Sequence, residues 1–283
     1  MGSLSIVIPA KNEGAVIGDV VAGARRQYPD AEIIVVDDGS SDDTATAAEA
    51  EGATVVRHPD SLGNGAAIKA GARAATGDVI AFMDGDGQHE AVEFDALLGR
   101  LDDGYDMIIG ARKSGSHANF GRLWANGVYN VVASWLAGRR IPDLTSGFRV
   151  VRASLFKQFL YLLPNGFSYP TTITMAFLRA GFPISFEPIS VGKRVGKSHI
   201  RPIRDGVRFF VIIFKIATLY APLKIFLPIS AVFFATGAGW YAYTFATLGR
   251  FTNMSMLLFS ASVIVFLIGL ISEQITALTY SKS

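Results

Sequence analysis

Four short polar segments of this sequence carry the residue types that bind cations and phosphates. They are residues 9–13 (P-A-K-N-E), 37–40 (D-D-G-S), 84–88 (D-G-D-G-Q) and 111–112 (A-R). Clustered carboxylates repel one another and are costly to bury without partners, so such a cluster usually holds a cation or a hydrogen-bonding ligand. The chain has no cysteine, and oxygen ligands alone favour Mg²⁺ or Mn²⁺.

Asp84 and Asp86 are the first candidates for metal chemistry. Their spacing across one glycine lets one carboxylate reach a ribose or base while the other reaches a metal ion. An isolated Asp-x-Asp pair is more often a solvated turn. Here the pair follows an apolar run, precedes Gln88 and is expected to share a sheet edge with Asp37 and Asp38. The combination predicts a metal–nucleotide site, because Mg²⁺ typically bridges one or two carboxylates to substrate phosphates.

The elements that must position these segments are predicted from apolar runs and helical periodicity. Strands are predicted over 4–8, 32–36, 53–56, 78–83 and 106–110, and helices over 16–24, 42–51, 66–75 and 92–101. Alternating strands and helices indicate a doubly wound α/β domain with a mostly parallel sheet. Ligands bind beyond the carboxyl ends of such strands, so the polar segments should meet at one edge. Residues 63–66 (G-N-G-A) precede a helix and could offer backbone N–H groups to phosphate or ribose.

The last quarter of the chain differs from the rest in composition. Residues 225–249 and 251–272 contain no charged side chain, and a bilayer-spanning helix needs roughly 20 apolar residues. Transmembrane helices are therefore predicted over 222–249 and 251–276, with a tail over 277–283. The alternative is a pair of buried helices in a soluble protein.

Charge is unevenly distributed before these spans. Residues 1–192 hold 16 Lys/Arg against 22 Asp/Glu, whereas 193–215 hold seven basic residues against Asp205 alone. Such a basic segment favours the cytoplasmic side and anionic headgroups, and 200–221 has the pattern of an interfacial amphipathic helix. The aromatic-rich segment 119–138 is either another interfacial helix or one packed on the sheet.

The expected topology is an integral membrane protein with its catalytic domain, residues 1–199, and both termini in the cytoplasm. The loop between the predicted spans carries only Arg250, in agreement with this orientation. No basic or long apolar segment follows Met1, so no cleaved signal peptide is expected. Nucleic acid is not expected among the partners.

In combination these motifs resemble the family 2 glycosyltransferases of the GT-A fold, within the dolichyl-phosphate mannose synthase-like branch that glycosylates polyprenyl phosphates. The resemblance covers essentially the whole chain. It rests on I-P-A-K-N-E at 8–13, D-D-G-S at 37–40, D-G-D-G-Q at 84–88, G-A-R at 110–112, D-L-T-S-G-F-R at 143–149 and R-V-G-K-S at 194–198, followed by two hydrophobic spans.

The resemblance implies roles for the matching residues. Asp86 and Gln88 would hold Mg²⁺ or Mn²⁺ on the donor diphosphate, and Arg112 and Arg122 would take the phosphate of the lipid acceptor. Guanidinium groups suit that task, because they form bidentate bonds with phosphate and stay charged. The nucleotide sugar would be bound by Pro9, Asn12, Glu13, Asp37, Asp38, Asp84, Arg194, Lys197 and Ser198.

Asp86, Arg112 and Asp143 are the predicted catalytic residues. Asp143 could be a general base, but an acceptor phosphate is already anionic, so an orienting role is favoured. The sequence departs from the family pattern at Lys11, where tyrosine is common, and at Asn64, where lysine is frequent. Both departures bear on which nucleotide is preferred.

The reaction implied by the resemblance is inverting transfer of a hexose from a nucleotide sugar to a polyprenyl or dolichyl phosphate. GDP-mannose is favoured as donor, and a UDP-sugar also fits. One alternative keeps the donor and replaces the acceptor with a glycan or diacylglycerol, although the Q-x-x-R-W sequence of processive synthases is absent. Another is a non-catalytic membrane scaffold in which Glu273 and Gln274 form a polar relay.

Overall fold

The computed structural model describes residues 2–112, 120–166, 168–190, 214–215 and 217–280. The chain divides into two compact units, Met1–Asp205 and Gly206–Ser283. Most of the predicted interfacial segment 200–221 lies outside the described residues.

The first unit is built on a seven-stranded sheet in the spatial order β3-β2-β1-β4-β6-β5-β7. Strand β6 runs antiparallel to β4 and β5, and all other neighbouring strands are parallel. This arrangement confirms the predicted doubly wound, mostly parallel sheet. The strands are β1 (Leu4–Ala10), β2 (Glu32–Asp37), β3 (Thr54–Arg57), β4 (Val79–Phe82), β5 (Met107–Arg112), β6 (Arg149–Arg152) and β7 (Ile184–Ile189).

The predicted strands are all present, and two further strands were not predicted. The sequence predicts strands β1 and β2 clearly because strands that are buried on both faces have continuous apolar runs. Ile6, Val7 and Ile8, for example, have no exposed surface. Strand β6 has arginine at both ends, and β7 contains Glu187 and Pro188. Neither shows the apolar run that marks the others.

Helices cover both faces of the sheet. They are α1 (Gly14–Gln27), α2 (Thr44–Ala50), α3 (Asn64–Ala74), α4 (Phe94–Asp102), α5 (Phe120–Ala137), α6 (Ala153–Gln158) and α7 (Tyr169–Arg179). Helix α5 occupies the predicted 119–138 segment. Its Ala133 and Leu136 are buried, whereas Val131 and Trp135 are 69% and 53% exposed. The helix therefore packs by one face and presents apolar side chains on another.

The second unit contains two long apolar helices, Pro222–Leu248 and Asn253–Tyr280, each long and apolar enough to cross a membrane. Only 11% and 17% of their most apolar windows are buried, unlike the core helices of a soluble protein. The second helix continues to Tyr280, past the expected end at 276.

Small residues at seven-residue intervals form the contact between the two apolar helices. A seven-residue repeat keeps one seam of each helix facing its partner, and small side chains let the backbones approach closely. Ser230 Oγ donates to the carbonyl of Ser262, and Ser262 Oγ donates to the carbonyl of Ser230, both at 2.9 Å. The buried residues of this seam are Ser230, Gly237, Thr244, Ser255, Ser262, Gly269 and Thr276.

Candidate active site

A cavity of ≈ 400 Å³ lies beyond the carboxyl ends of β1, β2 and β4. Three of the four predicted polar segments contribute to its wall, as expected for strand exits at one sheet edge. Residues 145–147 and the start of α7 close the other side. The lining residues are Pro9, Ala10, Lys11, Glu13, Asp38, Asn64, Asp84, Gly85, Asp86, Thr145, Gly147, Tyr169 and Pro170.

Asn12 connects the first two strand exits. It has a left-handed backbone conformation, with φ of 54°, which asparagine tolerates better than most residues. Its side-chain oxygen accepts a hydrogen bond from Ser41 N at 2.8 Å, and its backbone N–H donates to Ser40 Oγ at 2.9 Å. Asn12, predicted to bind the donor, thus holds the 37–41 loop beside the cavity and is not among the residues that line it.

Asp37 and Asp38 have different surroundings although they are adjacent. Asp37 is buried, and its Oδ1 accepts a hydrogen bond from Ser40 N at 2.9 Å. This contact closes the turn after β2. Asp37 does not line the cavity, whereas Asp38 does.

Both oxygens of Asp38 are used within the protein. Oδ1 contacts His58 Nδ1 at 2.7 Å and accepts from Leu62 N at 2.9 Å, while Oδ2 accepts from Ser61 Oγ at 2.8 Å and from Gly63 N at 2.9 Å. Burial acts to raise the pKa of Asp38, but the hydrogen bond with His58 and those from the 61–63 loop outweigh it and lower the pKa to about 2. Asp38 therefore organises the loop that leads to Asn64. Its partners His58 and Ser61 were not predicted from the sequence.

The N-terminus of α3 is occupied by another segment of the protein. Ala66 N donates to the carbonyl of Asn165 at 3.1 Å, and Gly63 N donates to Asp38. A Cβ atom on Gly65 would lie 2.0 Å from the carbonyl oxygen of Pro164. The N–H groups suggested for phosphate or ribose are thus partly taken, and Asn64 is the residue of 63–66 that lines the cavity.

Asp84 and Asp86 both line the cavity and are half-buried. Asp86 Oδ1 accepts a hydrogen bond from Gln88 N at 3.2 Å, which closes the turn after β4. Gln88 is half-buried in that turn and is not among the cavity-lining residues. Within the described ranges, no group of three or more His, Asp or Glu side chains could hold a metal ion alone. Two carboxylates still fit Mg²⁺ or Mn²⁺, because these ions complete their coordination with substrate phosphates and water.

Arg112 and Asp143 form a bidentate ion pair next to the cavity. Arg112 Nε donates to Asp143 Oδ2 at 2.7 Å, and Nη2 donates to Asp143 Oδ1 at 3.0 Å and to Thr145 Oγ1 at 2.6 Å. The Asp143 side chain is 8% exposed and that of Arg112 is 36% exposed. Thr145 lines the cavity, so it joins the ion pair to the cavity wall.

The ion pair keeps both partners charged. The hydrogen bonds with Asp143 raise the pKa of Arg112. Burial acts to raise the pKa of Asp143, but the contacts with Arg112 outweigh it and lower that pKa. A carboxylate held in this way is a poor proton acceptor, which agrees with an orienting role and argues against a general base.

Two lining residues, Tyr169 and Pro170, were not found by sequence reasoning. Thr145, Gly147, Tyr169 and Pro170 come from segments distant in sequence from the carboxylate motifs. Tyr169 is 1% exposed, and burial raises the pKa of its hydroxyl. Thr145 and Gly147 belong to the D-L-T-S-G-F-R motif, which had indicated this part of the wall.

The remaining predicted site residues lie outside the described structure. Arg122 belongs to helix α5, but its side chain is not described. Arg194, Lys197 and Ser198 fall outside the described residues. The predicted roles of these four residues remain predictions.

Comparisons with known proteins agree with this architecture. The family described as Glycosyl transferase family 2 matches residues 5–160, and one described as GtrB C-terminal hairpin matches residues 221–278. A dolichyl-phosphate hexose transferase of Haloferax volcanii is 29% identical over 72% of this chain and 89% of its own. A polyprenol monophosphomannose synthase of Mycolicibacterium smegmatis is 28% identical over 67% of this chain and 77% of its own.

The fold is also similar to that of a solved glycosyltransferase. Glucosyl-3-phosphoglycerate synthase from Mycobacterium tuberculosis, in complex with Mn²⁺ and UDP-glucose, has a TM-score of 0.58 and 26% sequence identity. The similarity covers 77% of this chain and 78% of that chain.

Proposed function

Because the chain belongs to glycosyl transferase family 2, we propose that it transfers a hexose, with mannose from GDP-mannose favoured, to a polyprenyl or dolichyl phosphate at the cytoplasmic membrane face. The family resemblance stated from the motifs is confirmed by this match, and so is the GT-A fold. The names of two relatives, a dolichyl-phosphate hexose transferase and a polyprenol monophosphomannose synthase, support this acceptor class.

The geometry of Arg112 is the single observation that carries the proposal. Asp143 and Thr145 engage Nε and Nη2 of its guanidinium. Among the described residues, none accepts a hydrogen bond from Nη1. A half-exposed guanidinium that is fixed along one edge and open at its remaining nitrogen is suited to bind a phosphate oxygen. Asp143 would orient Arg112 toward the acceptor phosphate.

The cavity beside Arg112 fits the donor. Lys11, Glu13 and Asn64 would face the nucleoside, and Asp84 and Asp86 would face the diphosphate. A bound Mg²⁺ or Mn²⁺ held by the Asp84–Asp86 turn, with Gln88 as a further candidate ligand, would stabilise negative charge on the leaving nucleoside diphosphate.

In the proposed reaction an acceptor phosphate oxygen attacks the anomeric carbon, and the bond from that carbon to the diphosphate oxygen breaks. The configuration inverts because attack and departure occur on opposite faces. No proton must be removed from a phosphate that is already ionised, so the main tasks of the protein are orientation and electrostatic stabilisation. The apolar hairpin would anchor the enzyme in the membrane that contains its acceptor.

Arg112→Ala tests the acceptor assignment. We expect kcat/KM for polyprenyl phosphate to fall about 10- to 100-fold, the usual effect of losing a hydrogen bond to a charged group. The Kd for the nucleotide sugar, measured by calorimetry on the detergent-solubilised protein, should stay unchanged.

Arg152→Ala is the matched control. Arg152 also binds an aspartate, with Nε 3.1 Å from Asp106 Oδ1, but it lies at the other end of β6, paired with the start of β4. The Arg152→Ala variant should keep the wild-type kcat/KM for polyprenyl phosphate and the wild-type Kd for the nucleotide sugar. Equal losses of donor affinity and acceptor kcat/KM in Arg112→Ala would contradict the proposed role.

A further inference from the structure

Arg149 is a buried cation for which the proposed chemistry has no direct use. It begins β6 and pairs with Phe82 at the end of β4, so it lies at the same sheet edge as the cavity. Its side chain has no exposed surface. Burying a guanidinium costs free energy unless hydrogen bonds and counter-charges replace water.

The guanidinium bridges two segments of the cavity wall. Nη2 donates to the carbonyl of Ser146, within the 145–147 turn, and Nη1 donates to the carbonyl of Pro170 in the first turn of α7 at 3.4 Å. Nη1 also lies 3.3 Å from Thr174 Oγ1. Gly147 and Pro170 both line the cavity. Arg149, which does not line it, therefore holds these two parts of the wall together.

No carboxylate among the described residues forms an ion pair with Arg149, and its buried Nε has no hydrogen-bond partner. The ring centre of Tyr169 lies 5.8 Å from the guanidinium carbon. Burial lowers the pKa of Arg149, while Tyr169, Asp143 and Asp84 act in the opposite direction. An arginine nevertheless stays charged at neutral pH.

The turn held by Arg149 also holds Arg112. Thr145 precedes Ser146 and accepts a hydrogen bond from Arg112 Nη2 at 2.6 Å, and Thr145 N donates to Asp143 Oδ1 at 3.1 Å. A shift of the Ser146 carbonyl would move Thr145 and, with it, the guanidinium of Arg112. The path from Arg149 to Arg112 consists of one turn and two hydrogen bonds.

We propose that Arg149 is a positioning residue for glycosyl transfer, which holds the 145–147 turn against α7 and thereby fixes Arg112 for the acceptor phosphate. The inference rests on the proposed function. A planar fork is required because two carbonyls in different directions must be bound at once, and an ammonium group on a flexible stem does not reproduce that geometry.

Arg149→Lys and Arg149→Met test this role in the full-length protein, with polyprenyl phosphate as acceptor. Lysine keeps the charge and loses the fork, and methionine removes both while filling similar space. We expect kcat/KM for the acceptor to fall at least about tenfold in Arg149→Lys and roughly 100-fold in Arg149→Met, because small misplacements of a positioning group have effects of this size. The donor Kd should change much less than the acceptor kcat/KM, because Asp84 and Asp86, which would face the diphosphate, lie in a different turn from the wall that Arg149 holds.

Arg152→Lys, at the other end of the same strand, is the matched control and should retain wild-type kinetics. Wild-type acceptor kinetics in Arg149→Lys, or a parallel loss of donor affinity, would overturn the inference. If Arg149→Met fails to fold, Arg149→Lys decides between these outcomes. If the wild-type protein does not transfer sugar to polyprenyl phosphate, both the proposed function and this inference are contradicted. If the wild type is active and Arg149→Lys is equally active, only the inference is contradicted.

Discussion

The carboxylates at the sheet edge have similar positions in the sequence motifs and different tasks in the structure. Asp38 is satisfied by four hydrogen bonds from the protein, whereas Asp143 is paired with Arg112. Asp84 and Asp86 line the cavity from a single turn. Motif spacing predicts which carboxylates meet, but the partners that decide their roles come from distant loops.

Asp38→Asn should destabilise the protein at neutral pH. The pKa of Asp38 is lowered to about 2 in the folded state. The contribution of this carboxylate to the free energy of unfolding is therefore fully present above the unfolded pKa of about 3.9 and is lost as pH falls toward 2. Asp38→Asn should lower the free energy of unfolding at pH 7 by roughly 1 to 2 kcal/mol, after allowance for solvent at the cavity edge.

Thermal unfolding of the full-length protein in detergent at pH 7, 5 and 3 measures this effect. The stability difference between wild type and Asp38→Asn should be about equal at pH 7 and 5 and decrease by about half at pH 3. Asp60→Asn, an exposed change in the same loop, is the control. A difference that does not change with pH would contradict the assigned charge state of Asp38.

At the scale of elements, sequence periodicity predicted the five strands and four helices that carry the carboxylate motifs. Four of these strands, β1, β2, β4 and β5, are buried on both faces and therefore appear in the sequence as continuous apolar runs, whereas β3 is partly exposed. Strands β6 and β7 were not predicted from the sequence, because tertiary contacts, such as those that bury Arg149, override local sequence patterns. In the opposite cavity wall, Tyr169 and Pro170 at the start of α7 were missed for the same reason.

The seam between the apolar helices makes a prediction of its own. A Cβ atom on Gly269 would lie 2.6 Å from Phe226 Cβ, whereas one on Gly239 would have no atom within 4 Å. Gly269→Ala should therefore destabilise the pair by about 1 to 3 kcal/mol, the usual cost of overpacking, and Gly239→Ala should not.

Disulfide formation between cysteines introduced by Ser230→Cys and Ser262→Cys reports the pairing, because the natural chain has no cysteine. The two serine Oγ atoms are 3.1 Å apart, so the pair should cross-link in membranes. Gly269→Ala should reduce the cross-linked yield severalfold and Gly239→Ala should leave it unchanged. Equal yields in all three backgrounds would show that the helices do not pack through this seam.

At the scale of the whole molecule, composition separates a charged α/β unit from an apolar hairpin. Charge-free stretches predicted the two long helices from residue counts alone, and family matches to residues 5–160 and 221–278 agree with that division. The acceptor and the donor base do not follow from composition, because few side chains select them. Lys11 and Asn64 depart from the family pattern and line the cavity, and we propose that they influence donor preference.

The most direct test of the central claim is transfer of radiolabelled sugar to polyprenyl phosphate by the full-length protein in detergent. GDP-mannose and a panel of UDP-sugars would be compared with Mn²⁺, with Mg²⁺ and with EDTA, and Asp86→Ala would serve as the metal-site variant. We expect label in the lipid phase from GDP-mannose, present with either metal and absent with EDTA or in folded Asp86→Ala. Lipid labelling that survives both EDTA and Asp86→Ala would contradict the metal site, and donor binding with no lipid labelling from any sugar would contradict the acceptor.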